Sequence, residues 1–83
     1  MTYSVRWNEE AEEQLAHLWN EAEDKGAIAQ AANEIDASLG LNPAELGESR
    51  EHNQRILLCA PLGVLFDVDS LDRVVLVTLV WKF

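Results

Sequence analysis

The C-terminal 23 residues constrain the fold of this chain more than any other segment. Two apolar runs, residues 64–68 and 74–83, flank the acidic sequence Asp-Ser-Leu-Asp at residues 69–72. Apolar runs rich in β-branched residues on either side of a turn predict a hairpin of two strands. The second run is apolar on both of its faces, so we expect a central strand. Helices would cover one side of it, and other apolar groups or a partner would cover the second.

The first half of the chain predicts one strand and two helices. Tyr3, Val5 and Trp7 alternate with polar residues, which is the period of a half-buried strand. Asn8 follows as a helix N-cap, and two apolar stripes with helical spacing come next. We expect a break at residues 25–26 and a left-handed glycine end at Gly40. The stripes are Ala11, Leu15, Leu18, Trp19 and Ala22, then Ile28, Ala31, Ala32, Ile35 and Leu39.

The order of the predicted elements gives the fold class. Residues 41–53 contain Pro43 and Gly47 without any periodicity and predict a loop, whereas residues 56–59 predict a strand followed by a turn at residues 60–63. A chain of 83 residues has room for one core only. We therefore predict one α+β domain over residues 1–83, of order β-α-α-β-β-β. Its helical hairpin would pack on a four-stranded, mostly antiparallel sheet.

The excess of negative over positive charge lies entirely in the first half of the chain. Residues 1–49 hold eleven acidic residues against Arg6 and Lys25, while residues 50–83 hold four acidic and four basic residues. The field of the first predicted helix therefore repels nucleic acid and favours a basic partner. A solvated acidic surface that maintains solubility is the alternative interpretation.

Cys59, the single cysteine, lies in an apolar run. It excludes an intrachain disulfide and a cysteine-based metal cluster, and its surroundings predict packing in the core. No apolar segment approaches the roughly 20 residues of a membrane span, and the first ten residues lack the apolar region of a signal peptide. We expect a cytoplasmic protein that needs neither a metal nor a cofactor.

One cluster of titratable residues suggests catalysis. Arg50, Glu51, His52 and Arg55 lie just before the strand predicted at residues 56–59. An arginine can hold a phosphate in its guanidinium fork while a histidine or a glutamate moves a proton, and this is sufficient to cleave RNA by attack of its own 2'-hydroxyl. The same composition is typical of an ordinary solvated loop.

Two further residues suggest a site at the end of the last strand. Lys82 is the only basic residue of that strand, and Phe83 follows it. The pair can position a phosphate or substrate at the end of the sheet. The alternative is an aromatic tail packed on the core or on a neighbouring subunit.

Several segments taken together resemble the RelE/ParE family of type II toxins, and the resemblance covers nearly the whole chain in the same order. They are Tyr-Ser-Val-Arg-Trp-Asn-Glu-Glu-Ala at residues 3–11, the stripe at 15–19, residues 35–39, Asn42-Pro43 with Gly47, and Pro-Leu-Gly-Val-Leu-Phe-Asp-Val at 61–68.

This resemblance implies a bacterial protein, of the plasmid stabilisation type, that is encoded with an antitoxin which wraps and neutralises it. RelE-branch toxins are ribosome-dependent mRNA endonucleases, whereas ParE-branch toxins poison DNA gyrase. By position, Arg55 and His52 match the acid-base and basic group of the RelE branch, and Lys82 and Phe83 match its C-terminal group. We predict Arg55, His52 and Lys82 as catalytic candidates and Trp19, Trp81 and Phe83 as partner-binding residues.

Two positions depart from the pattern of an active ribonuclease. Asp67 stands where family members frequently carry a basic residue, and Phe83 lacks the hydroxyl of a terminal tyrosine. A carboxylate at position 67 would repel a scissile phosphate. Three hypotheses follow: an mRNA endonuclease, a non-nucleolytic toxin with a protein target such as gyrase, and a degenerate module that forms a homodimer or binds an antitoxin. We favour a toxin-family protein whose main property is partner binding.

Overall fold

The computed structural model describes residues 2–49 and 54–83. Eight secondary-structure elements lie within these two ranges. They are β1 (Ser4–Trp7), α1 (Glu9–Glu21), α2 (Lys25–Leu41), a 3₁₀ turn (Pro43–Glu45), β2 (Glu48–Ser49), β3 (Gln54–Cys59), β4 (Leu62–Asp69) and β5 (Val74–Lys82).

The strands form one mixed sheet in the order β1-β5-β4-β3-β2. β1 pairs with β5 in parallel, and the other three pairings are antiparallel. The predicted α+β class and the interior position of β5 are therefore confirmed. The sheet has one strand more than the four predicted. The additional strand is the two-residue β2, which lies inside the segment predicted as a loop and pairs with Arg55 and Ile56 of β3. Two polar residues carry no periodicity that could reveal a strand.

The helix ends differ in detail from the prediction. The break lies between Glu21 and Lys25, and α2 begins after Asp24, whose side chain accepts a hydrogen bond from the Ala27 amide at 3.0 Å. Gly40 lies in the last turn of α2 and not in a left-handed cap. Its carbonyl accepts a bond from the Tyr3 amide at 2.8 Å, so β1 packs directly against this end of α2.

The N-terminus of α1 follows the prediction. The Asn8 side chain accepts from the Ala11 amide at 2.8 Å, while the Asn8 amide donates to the Val77 carbonyl at 3.0 Å. One residue thus caps the helix and fastens the end of β1 to β5. A capping bond of this kind stabilises a helix by about 1 kcal/mol.

The core lies between the helices and one face of the sheet. The fully buried residues of α2 are those of its predicted stripe, apart from Ala32, which is half-buried. Trp19 departs from the stripe of α1, since 43% of its surface is exposed. The buried core residues are Ala11, Ile28, Ala31, Ile35, Leu39, Leu62, Val64, Phe66, Val68, Val75, Val77 and Val80.

The second face of the sheet, called the open face below, is covered by no helix among the described residues. Residues directly opposite in a ladder share a face, so the register and the burial pattern assign its side chains. Its apolar members are Ile56, Leu58, Leu65, Val74, Leu76, Leu79 and Trp81. Neither helix of the described residues is long and apolar enough to cross a membrane.

Gly63 and Gly40 should respond in opposite directions to alanine. A Cβ on Gly63 would lie 2.6 Å from Cε2 of Trp81, so Gly63→Ala must displace the indole. We expect a loss of about 1–3 kcal/mol in the free energy of unfolding, measured by urea denaturation, with a change in tryptophan emission.

A Cβ on Gly40 meets only ordinary contacts, the nearest at 3.7 Å. Gly40→Ala should therefore be neutral or stabilising by up to about 1 kcal/mol. Equal losses in both variants would contradict this packing.

Candidate functional site

A groove between α1 and α2, called the interhelical groove below, is a concave and mostly apolar surface. Its volume is about 510 Å³. Trp7 enters it from β1, and Trp19 stands at its side. The full lining is Trp7, Glu12, Leu15, Ala16, Trp19, Asn20, Ile28, Ala29, Ala32, Asn33 and Asp36.

Hydrogen bonds and a cation–π contact hold both indoles in place. Nε1 of Trp7 donates to Oδ1 of Asp36 at 3.2 Å, which joins β1 to α2. The Lys25 ammonium lies 4.8 Å from the centroid of the Trp19 ring and donates to the carbonyls of Trp19 and Asn20, each at 2.9 Å. Lys25 thereby supplies the cation that the last turn of α1 lacks. The exposed indole is fixed before any partner binds, which reduces the entropy lost on binding.

The groove has an acidic border. Glu12 and Asp36 belong to its lining, and α1 contains no lysine or arginine. An apolar floor beside carboxylates suits a ligand that presents apolar side chains next to basic ones.

Arg55, the first catalytic candidate, has a structural role in the described contacts. Its Nε donates to the carbonyl of Leu46 at 2.6 Å, and a terminal nitrogen donates to the carbonyl of Gly47 at 3.2 Å. Gly47 has a left-handed φ of 67°, and a Cβ there would collide with the Ile56 carbonyl, so only glycine fits. Two of the five N–H donors of Arg55 therefore bind this turn to β3.

The other catalytic candidates do not join Arg55 within the described residues. Arg55 pairs with Phe66, whereas Lys82 pairs with Leu62, four residues away along β4 and roughly 13 Å in strand length. His52 lies outside the described residues, as do Arg50 and Glu51. The catalytic assignment stays a prediction.

The predicted partner-binding residues do not all lie on one side of the molecule. Trp19 borders the interhelical groove, and Trp81 lies over Gly63 on the open face. Phe83 follows β5 with its amide donating to the Pro61 carbonyl at 2.9 Å, and its side chain is 61% exposed. A small contact area on one side of the molecule therefore cannot include all three residues. Their roles in partner binding stay predictions.

Cys59 packs against the core, as its apolar surroundings predict. Its thiol donates to Oε2 of Glu34 at 3.3 Å. Burial, then this bond and the carboxylate charge, raise the pKa of the Cys59 thiol above its ordinary value. A raised pKa lowers the fraction of the nucleophilic thiolate at neutral pH, so the site does not suit nucleophilic chemistry. Over residues 2–49 and 54–83, no three His, Cys, Asp or Glu side chains converge as metal ligands would.

Sequence reasoning missed the interhelical groove and two residues that shape it. Asp36 and Lys25 carry no motif, and each acts on a tryptophan that is remote or in another helix. The excess of tryptophans was the available signal, because three indoles exceed what a small core needs.

Comparison with known proteins identifies the fold. No family model matches the chain, and no curated protein is similar to it in sequence. A chain of the Mycobacterium tuberculosis toxin-antitoxin complex RelBE2 superposes with a TM-score of 0.81 at 19% identity, covering 100% of this chain and 93% of that chain. The fold is that of the RelE/ParE structures. The resemblance read from the sequence is confirmed at this level.

Two further structures agree. A chain of the archaeal RelE-RelB complex from Pyrococcus horikoshii OT3 gives a TM-score of 0.73 at 17% identity, with 99% of this chain and 96% of that chain covered. A chain of the chromosomal ParDE system of P. aeruginosa gives 0.68 at 14% identity, with 96% and 95% covered. Both branch names of the resemblance thus occur among chains that share this fold.

Replacing Arg55 should destabilise the fold, because two backbone carbonyls lose their donor. We expect Arg55→Ala to lower the free energy of unfolding by about 1–3 kcal/mol in urea denaturation. Lys82 is exposed, and Lys82→Ala should change it by less than about 0.5 kcal/mol. An Arg55→Ala variant as stable as the parent would contradict the structural role.

The Cys59 thiol should react slowly with iodoacetamide in the native state. Since Glu34 contributes to the raised pKa, Glu34→Gln should increase the thiolate fraction and the alkylation rate at pH 8. Glu45→Gln, a matched change remote from the thiol, should leave the rate unchanged. The raised pKa also makes stability depend on pH. The contribution of the Cys59 thiol to the free energy of unfolding is fully present below its unfolded pKa and is lost as the pH rises through the higher folded pKa.

Proposed function

We propose that this chain is the toxin, or a toxin-like, component of a bacterial type II toxin–antitoxin pair, and that the interhelical groove binds the antitoxin. The observation that carries the proposal is the groove itself, in which Trp7 and Trp19 are held in place above an apolar floor. Aromatic side chains in such settings contribute most of the binding energy of protein interfaces.

The charge of the chain specifies the kind of partner segment. Residues 8–41, which form the helical layer, contain nine acidic residues and one basic residue. This negative charge attracts a basic chain to the helical side and increases the rate at which that chain associates. An amphipathic helix with apolar side chains along one stripe and lysine or arginine beside it matches both the groove and its border.

The fold supports the same function by analogy. The similar chains come from toxin-antitoxin complexes named RelBE2, RelE-RelB and ParDE. A fold alone does not determine function, so the groove and the charge of this chain are the specific support.

For the mode of action we favour a protein target over mRNA cleavage. Arg55 is engaged by two carbonyls, Lys82 lies toward the other end of β4, and Asp67 sits on the open face. A net charge of −9 further opposes contact with the phosphates of an mRNA on the ribosome. Action in the cytoplasm is part of this proposal.

Matched alanine positions on α2 provide the test of the groove. Ala29 lines the groove and is exposed, whereas Ala37 is exposed outside it. Arginine is nearly as good a helix former as alanine, so neither change should disturb the fold. Ala29→Arg should fill the groove and repel a basic segment. It should raise the Kd for the product of the neighbouring gene at least about tenfold in calorimetry, while Ala37→Arg should stay within about twofold.

Expression in bacteria tests the remaining claims. The chain alone should arrest growth, the neighbouring gene product should relieve the arrest, and Ala29→Arg should remain toxic but escape relief. If the chain shows no binding to the neighbouring gene product and causes no growth arrest, the toxin–antitoxin assignment is rejected. Ribosome-dependent mRNA cleavage by the parent chain would reject a protein target as the mode of action.

A further inference from the structure

The open face exposes a continuous apolar surface on the side of the sheet opposite the helices. Leu58 and Leu79 are 60% and 37% exposed, and Ile56, Leu65 and Trp81 are half-buried beside them. Leu76, also half-buried, extends the surface toward β1. Apolar patches of this kind on a folded chain mark interaction surfaces.

One cross-strand row on this face carries two opposite charges. Arg6 on β1 is in register with Leu76 on β5, which is in register with Asp67 on β4. Arg6 and Asp67 therefore flank β5 symmetrically, about 10 Å apart by strand spacing. Within residues 2–49 and 54–83, neither side chain has a hydrogen-bonding or ion-pair partner in the structure.

The distribution of charge distinguishes the possible occupants of this face. The helical layer holds nine acidic residues and one basic residue, so a basic partner is drawn to the opposite side of the molecule. On the open face, Asp69 and Glu48 lie at the margins, at the end of β4 and on the edge strand β2. Between them, the charged residues of the described open face are Arg6 on the edge strand β1 and Asp67 on β4, and Leu76 lies between these two. A polyanion finds no basic surface here.

We propose that the open face binds a second copy of this chain, with a two-fold axis running along β5. Such an axis exchanges the two sides of β5 and places Arg6 of each copy over Asp67 of the other. The interface is then self-complementary, as a two-fold contact requires. Leu76 and Leu79 of the two copies meet at the axis, and two ion pairs flank them.

The acidic helices do not oppose this dimer. Sheets pack face to face about 10 Å apart, and each helical layer lies roughly 10 Å further out, which separates the two acidic layers by about 30 Å. This distance is about three Debye lengths or more at physiological ionic strength, so the repulsion is largely screened. The proposal does not depend on toxin activity or on an antitoxin, because the interhelical groove lies on the other side.

Charge exchange within the row tests the proposal. The purified chain should show a concentration-dependent dimer in sedimentation equilibrium at physiological salt. Asp67→Arg and Arg6→Asp each place like charges opposite each other, and each should raise the dimer dissociation constant roughly tenfold, because every dimer loses two exposed ion pairs. The double exchange should restore it to within about threefold of the parent.

Two further variants control for net charge and for folding. Glu13→Arg changes the charge on exposed α1 by the same amount as Asp67→Arg and should not weaken the dimer. Leu79→Glu should abolish dimerisation while circular dichroism shows an intact fold. A parent chain that stays monomeric at all concentrations overturns the proposal. A dimer that persists in the Leu79→Glu variant also overturns the proposal. If the double-exchange variant has a dimer dissociation constant no lower than those of the single variants, the Arg6–Asp67 pairing is wrong.

Discussion

β5 is the element on which the rest of the structure depends. It pairs with β1 on one side and with β4 on the other, so it joins the N-terminal strand to the C-terminal meander. A β-bulge opposite residues 65 and 66 changes its register with β4. Near that irregularity, the Val80 amide donates to Oε1 of Gln14 at 3.1 Å. This bond ties α1 directly to β5, beyond the residues of β5 that pair with β1.

Helices on only one face of this sheet create two unlike surfaces. The helical side combines a strongly acidic layer with an apolar groove, whereas the open face is apolar and nearly neutral at its centre. Both sides carry apolar surface, and the strong negative charge lies on the helical side. The proposed basic partner and the proposed second copy of this chain would therefore not compete, because they would contact different surfaces.

Periodicity predicted the elements of the fold better than it predicted the site. The alternation at Tyr3, Val5 and Trp7 and the stripe of α2 follow from the chain burying one face of each element. Trp19 shows the limit of this reasoning, since its spacing fits the stripe of α1 while 43% of its surface is exposed and its ring lies under Lys25. The contact of Trp7 with Asp36 joins residues 29 positions apart, and no local pattern specifies such a distance.

Arg55 shows why position in a family pattern does not determine chemistry. This chain has the RelE/ParE fold with its apolar core, whereas phosphate chemistry also needs cationic donors that are free and converge. Here the left-handed Gly47 turns its carbonyl toward β3, and Arg55 binds this carbonyl and that of Leu46. The arginine that resembles a catalytic group therefore stabilises the entry to the sheet. Asp67 lies half-buried on the open face, where it adds a carboxylate and no cationic donor, although the apolar frame is that of the RelE/ParE fold.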